Sequence, residues 1–246
     1  MNHSAEDINM VRKNFHMFIY VVILLLLSTG TVYRNSVWKD ELKLWKDCLK
    51  KFPQHVRVHH NLGFIYLELE RLAEARKECE EALRLHPRYT LSIYNLGLIC
   101  YKQGLLDEAI DRYREAIELD ASYAESFYNL GIAYYKKGMF VEAIDAYLEF
   151  IKVRPGYENA YSSLGLAYQG LKERGKAILA FQEELNRHPG NVYALIYLGD
   201  TYMALKNYPQ ALVHYKKALT CPNLPEAERI RGVVLSLEKI QRGTVS

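Results

Sequence analysis

The sequence predicts an all-α chain of stacked helical hairpins, an α-solenoid, preceded by one membrane-spanning helix. Three observations carry this. A 34-residue period recurs five times in unbroken register between Val56 and Pro225. Within each copy the apolar residues are spaced by three and four, as on one face of a helix. Ahead of the array, Met17 to Tyr33 contains no charged residue.

With slot one at Val56, Thr90, Ala124, Glu158 and Val192, the units are 56–89, 90–123, 124–157, 158–191 and 192–225. Slots seven and eight hold Leu62-Gly63, Leu96-Gly97, Leu130-Gly131, Leu164-Gly165 and Leu198-Gly199. Slot eleven holds Tyr66, Cys100, Tyr134, Tyr168 and Tyr202, and slot twenty is alanine throughout: Ala75, Ala109, Ala143, Ala177 and Ala211. Slot twenty-four carries Cys79, Tyr113, Tyr147, Phe181 and Tyr215, and slot thirty-two carries Pro87, Ala121, Pro155, Pro189 and Asn223. Small residues permit close helix approach, bulky ones fill the space between helices, and proline ends the second helix. Leu62 and Tyr66, then Leu72, Ala75, Cys79 and Ala82, mark one stripe on each of two helices in the first unit.

This pattern of paired Leu-Gly, Tyr, Ala, an aromatic and Pro resembles the tetratricopeptide repeat (TPR) family over roughly two thirds of the chain. The resemblance implies a right-handed superhelix. Phe150 and Glu184 stand where slot twenty-seven is usually small, and Cys100 replaces an aromatic, so packing is expected to differ there.

A solenoid needs shielding at both ends. In front, 34–55 reads as a half repeat: Trp38 to Phe52 is one amphipathic helix, with Trp45 in slot twenty-four, Cys48 in twenty-seven and Pro53 in thirty-two. Behind, 226–246 reads as a capping helix and tail. The helix runs from Pro225 to Gln241, with Glu226 and Glu228 in its first turn, Lys239 and Arg242 near its end, and Gly243 as its stop.

Residues 1–14 form a short polar tail and 15–33 a transmembrane helix. As helix, Met17 to Tyr33 would extend about 25 Å, close to a ~30 Å hydrocarbon core once Phe15 and His16 are added. Tyr20 and Tyr33 suit the interfaces, and Arg12, Lys13 and Arg34 bracket the span. Ser28 and Gly30 also fit a signal-peptide cleavage site, so removal of the segment stays open. Arg34, Lys39, Lys43, Lys46, Lys50 and Lys51 follow the span, a count that favours cytoplasmic repeats. The junction itself, with Arg34-Asn35, Trp38, Asp40-Glu41, Leu44-Trp45 and Pro53, resembles the place where transmembrane O-mannosyltransferases pass from their last span into repeats. That resemblance implies a periplasmic or other extracytoplasmic repeat domain. Their catalytic multi-span half has no counterpart here, so no activity carries over.

At net charge +3 with half of the residues apolar, composition excludes a polyelectrolyte and does not call for nucleic acid. Three of the four cysteines, Cys48, Cys79, Cys100 and Cys221, fall in core slots, and none are paired at metal-ligand spacing. Outside the cytoplasm Cys79 and Cys100, on adjacent repeats, could pair. His55 and His59 are one turn apart without a third ligand. Gly170 to Lys176 imitates a phosphate loop, but it falls on a hairpin turn with packing Ala177 in the magnesium position, so no nucleotide is expected. No cofactor, metal or catalytic set emerges, and the chain is read as not an enzyme.

In the family the first helix of each hairpin lines the concave surface. Mapped here, the candidate peptide-binding residues are Asn61, Phe64, Tyr94, Asn95, Leu98, Tyr101, Tyr128, Asn129, Tyr135 and Lys136. Asn61, Asn95 and Asn129 recur one period apart, and a similar asparagine ladder holds extended peptides in the O-linked N-acetylglucosamine transferase; the alternative is a consensus residue serving solubility or local bonding. The expected function is a membrane-anchored scaffold that binds a peptide or protein segment in its groove. The alternative is an accessory or substrate-recognition subunit of envelope glycosylation or polysaccharide machinery.

Overall fold

The computed structural model describes residues 41–222, 224 and 226–243, and the predicted tail, span and start of the junction lie outside them. Among the described residues there are twelve helices and no strand. The chain divides into two compact units, Met1–Pro87 and Arg88–Ser246. No helix among the described residues is long and apolar enough to cross a membrane.

In the first unit α1 (Glu41–Lys51) packs on α2 (Val56–Glu68), which forms a hairpin with α3 (Leu72–Leu85). The second unit continues with four hairpins. They are α4 (Thr90–Lys102) with α5 (Leu106–Leu119), α6 (Ala124–Lys137) with α7 (Phe140–Val153), α8 (Ala160–Gly170) with α9 (Arg174–Arg187), and α10 (Val192–Ala204) with α11 (Tyr208–Leu219). The helix α12 (Ala227–Gly243) packs on α11 as the cap. It starts later than predicted, because Glu226 has φ 58° and stands outside the helix, its carbonyl accepting from the Ile230 amide at 3.1 Å.

The slots translate into contacts. A Cβ on Gly97, Gly131, Gly165 or Gly199 would stand 2.4–2.6 Å from a ring carbon of Tyr113, Tyr147, Phe181 or Tyr215, so slot eight must lack a side chain for slot twenty-four to hold an aromatic. All five slot-twenty alanines are fully buried. Each hairpin turns on a left-handed residue at slot fifteen: Glu70, Gly104, Gly138, Lys172 and Lys206, with φ from 57° to 82°. The next amide then bonds back to the slot-eleven carbonyl, as in Leu105 to Cys100 at 2.9 Å and Asn207 to Tyr202 at 2.9 Å. This is the Schellman termination, and it satisfies carbonyls that the helix end leaves open.

Gly170 to Lys176 forms such a turn. Lys172 is its left-handed residue, Ala177 is buried, and Lys176 pairs with Glu173 at 2.6 Å.

Four first helices begin at slot one, whereas the fourth begins at Ala160. Asn159 there has φ 69°, and the carboxylate of Glu184, fully buried, accepts from the amides of Asn159 (2.9 Å), Tyr161 (3.1 Å) and Ser162 (3.3 Å). Asn191 donates to Asn159 Oδ1 at 2.8 Å and Glu184 Oε1 at 3.3 Å, and caps α10 by accepting from Ala194 at 3.0 Å. The unusual residue of slot twenty-seven is thus an internal hydrogen-bond acceptor at a helix start, taking up amides that the helix leaves open.

Within the second unit, first helices of successive repeats touch (α4 with α6, α6 with α8, α8 with α10), whereas no contact joins the second helices to one another. The first helices are therefore the inner layer of the curved stack, and their outward residues line its concave face.

Candidate functional site

The concave face of the second unit is built from α4, α6, α8 and α10. Slot five of the second and third repeats is Tyr94 and Tyr128, and slot thirty-four of the same repeats is Tyr123 and Tyr157. The rings meet: Tyr94 lies edge-on to Tyr123 at 4.9 Å, and Tyr128 lies 5.5 Å from Tyr157 and 4.8 Å from Phe150. Such pairs contribute beyond their buried area by roughly 1 kcal/mol each. Phe150, the oversized residue of slot twenty-seven, therefore belongs to the aromatic cluster beneath this face.

Their hydroxyls reach across to the next repeat. Asn129 Nδ2 donates to Tyr94 Oη at 2.7 Å and to the Glu125 carbonyl at 3.1 Å, while Tyr128 Oη and Ser163 Oγ lie 3.1 Å apart. In both cases slot six of one repeat bonds slot five of the preceding one. Asn129 has spent both its amide protons internally. Asn95 is 3 % exposed, with no partner for Nδ2 among the described residues. In this unit the expected asparagine ladder is thus an inter-repeat tie at Asn129 and a buried amide at Asn95, and what faces solvent is chiefly ring and hydroxyl. Because Tyr94 Oη accepts from Asn129, its own proton is free to be donated.

Of the other predicted residues, Leu98 and Tyr101 are half-buried and Tyr135 and Lys136 exposed. Lys136 Nζ sits 4.7 Å from the Tyr101 ring centre, a cation over an aromatic face, and Tyr135 packs edge-on to Phe140 at 5.5 Å. Phe64, 46 % exposed, and half-buried Asn61 belong to the first unit. Sequence reasoning missed Tyr123 and Tyr157. The recurrence of Tyr89, Tyr123 and Tyr157 one period apart was the available signal.

Burial pushes the phenols of Tyr94, Tyr128 and Tyr197 above their ordinary range, with neighbouring tyrosines adding to the effect, so they remain protonated donors at neutral pH. Charges on this face are largely matched. Glu125 pairs with Arg154 at 2.8 Å, and Asp200 accepts from Tyr215 Oη at 2.5 Å with Arg229 at 3.6 Å. Towards the C-terminal end Gln169 Nε2 donates to Thr201 Oγ1 at 2.6 Å, and Tyr193 stacks on Tyr197 at 6.5 Å.

Among the described residues no group of three His, Cys, Asp or Glu could hold a metal ion. His59 is 5 % exposed, with Nδ1 2.7 Å from Glu78 and Nε2 3.0 Å from the Pro53 carbonyl, so both nitrogens are engaged in packing the first unit. The four cysteines are free thiols, and burial pushes Cys79 up to about 12.

Models of the tetratricopeptide repeat match residues 56–89, 124–157 and 192–221, and a TPR repeat model matches 97–138, together about half of the chain. No curated protein matches the chain. Among solved structures, MamA is 28 % identical at a TM-score of 0.61, covering 65 % of this chain and 93 % of its own. YrrB, a TPR protein with an unusual peptide-binding site, is 18 % identical at a TM-score of 0.64 over 79 % of this chain and 97 % of its own. PilF of Pseudomonas aeruginosa is 19 % identical at 0.62 over 76 % and 90 %.

Proposed function

Since the chain belongs to the tetratricopeptide repeat family, we propose that it is a non-enzymatic scaffold that binds a peptide or protein segment on the concave face of its repeats, held at a membrane by residues 15–33. The observation that carries the binding role is the concave face of the second unit: aromatic rings in series, hydroxyls kept protonated, and few unmatched charges. Tyrosine supplies large contact area with two side-chain torsions to fix, and its hydroxyl keeps an empty groove hydrated. The membrane role rests on the uncharged run from Met17 to Tyr33, and an extracytoplasmic placement of the repeats on the junction's resemblance. The solved structure of YrrB supports the reading at the level of the fold.

Groove occupancy is tested by photo-crosslinking in intact cells, with the reactive group at Tyr101 or Tyr135 and, as control, at Leu179, 66 % exposed on the second helix of its repeat. Discrete adducts from the groove positions alone are expected. Tyr101→Ala with Tyr135→Ala and Lys136→Ala should remove adducts trapped from a third groove position, Tyr193, since two or three central aromatic contacts are worth about 2 kcal/mol or more each. Identical adducts from groove and control positions would sink the assignment. A second reading, an accessory subunit of envelope glycosylation machinery, rests on the junction sequence from Arg34 to Pro53, and its test is co-purification of a multi-span transferase.

A further inference from the structure

Within the second unit, the second helix of each repeat is covered on one side by its own first helix and on the other by the helix that follows it. In register the helix α1 is a second helix, and among the described helices it packs on α2 alone. The result is visible slot by slot. In the five complete repeats slots twenty, twenty-four and twenty-seven are at most 3 % exposed, whereas their counterparts Glu41, Trp45 and Cys48 are exposed or half-exposed and α1 has no buried residue. Leu44 and Cys48 share a face with Trp45 and, one further turn on, with Phe52, which is 58 % exposed and whose amide still bonds the Cys48 carbonyl at 2.8 Å. By helical spacing Lys43, Lys46 and Lys50 fall opposite this stripe, Lys46 over the Tyr66 ring at 5.8 Å, with Lys51 paired to Asp47 at 2.6 Å.

In register, the first helix that would pair with α1 falls at residues 22–35, which lie outside the described residues, within and just beyond the apolar run that the proposed function places in the bilayer. A segment that crosses the bilayer is not available to cover α1, and α1 then begins within a few residues of the membrane surface. We propose that α1 completes its packing on lipid. It lies on the headgroup layer of an anionic membrane, with Leu44, Trp45, Cys48 and Phe52 towards the acyl boundary and Lys43 and Lys50 on the far side of the helix, about one helix diameter (~10 Å) from the lipid phosphates and so still within reach of the surface charge. A basic helix with an aromatic and aliphatic stripe and little overall hydrophobicity is the kind that occupies this layer, and juxtamembrane lysines are attracted by the surface charge. The inference rests on the membrane-anchored reading and adds that the first repeat unit is held close to the bilayer rather than tethered loosely above it.

The chain has two tryptophans, so Trp38→Phe leaves Trp45 as the sole tryptophan emitter. The full chain is reconstituted with vesicles of phosphatidylcholine, with or without phosphatidylglycerol, whose acyl chains carry bromine, and floated on a density gradient. The expected result is co-flotation with Trp45 quenched roughly twofold or more in anionic vesicles, and less by a clear margin in neutral ones, at high salt, or in Lys43→Glu with Lys50→Glu. A chain that floats with Trp45 unquenched overturns this inference and leaves the anchor standing, and Trp45 shielded from aqueous iodide but not quenched by lipid shows that protein covers the stripe instead. Equal quenching in neutral and anionic vesicles overturns the anionic requirement. A chain that does not float overturns the anchored reading and this inference with it. Unchanged circular dichroism establishes that the charge-reversed variant is folded.

Discussion

A methyl group on Gly131 would stand 2.6 Å from Tyr147 Cε1 and 2.7 Å from Cδ1, nearer than real Cβ atoms approach. Tyr147 is 3 % exposed and enclosed by the core, so the ring cannot swing away without displacing its neighbours. Gly131→Ala should therefore cost ~1–3 kcal/mol of overpacking, measured by urea unfolding. Gly175→Ala, where nothing lies within 4 Å, should be neutral or slightly stabilising. Glu184 presents the opposite case, a side chain whose loss strands its partners. Glu184→Ala removes the acceptor for three backbone amides and the Asn191 side chain in a fully buried position. A loss of about 3 kcal/mol or more is expected. Glu184→Gln keeps the volume but turns an NH2 towards amide donors, and should fall between that variant and the wild type. A Glu184→Ala protein as stable as the wild type would show that the amides find other partners.

At the scale of the hairpin, slot fifteen is left-handed in all five turns, and glycine occupies only two of them. For an L side chain that conformation costs roughly 1–2 kcal/mol, partly offset by glycine's greater freedom when unfolded. Lys172 and Lys206 are exposed, so replacing them loses no packing. Lys172→Gly and Lys206→Gly should each stabilise by about 0.5–1 kcal/mol in thermal unfolding. A destabilised Lys206→Gly would mean that its side chain makes contacts that matter. These turns also mark how far the sequence was legible. The slots that fix helix boundaries are local, set by glycine, proline and apolar spacing, and four of five first helices start where the register puts them. The fourth differs because Glu184, many residues away, captures the amides at its start, and spacing alone does not reveal such a bond. The asparagines show the same limit. Their recurrence reads as a ladder facing a ligand, but the bond from Asn129 to Tyr94 joins neighbouring repeats, and only the stacked structure brings slot six over the preceding slot five. The tyrosine ties were written in the sequence as a repeat of slot thirty-four, whose partner in slot five becomes evident only once the chain is folded.

Across the molecule, burial of acids that keep their protons links stability to alkaline pH. Tyr94, Tyr113, Tyr123, Tyr128, Tyr147, Tyr197 and Tyr215 all lie in the second unit, and burial, as the largest cause, raises each above the ordinary phenol value. The unfolded chain releases these protons near pH 10, whereas the folded chain retains them to higher pH. Above that point the folded state binds more protons than the unfolded one, so each further rise in pH favours unfolding. The tyrosine contribution is fully present below about pH 10 and is lost as pH climbs through the raised values. In the first unit the Cys79 thiol, pushed up to about 12 by burial, acts with the same sign from the ordinary thiol range upward. The expected outcome is a flat stability through the neutral range and a cooperative loss of helix above about pH 10, in which far-ultraviolet circular dichroism and tyrosinate absorbance change together. Tyrosine-to-phenylalanine changes at Tyr113 and Tyr147, whose rings fill slot twenty-four, should move that midpoint upward, because they remove the ionising group and keep the ring. If tyrosinate instead forms near pH 10 while the helices persist, the phenols are reached by solvent without unfolding, and the tyrosine cluster under the concave face is looser than its ring contacts imply.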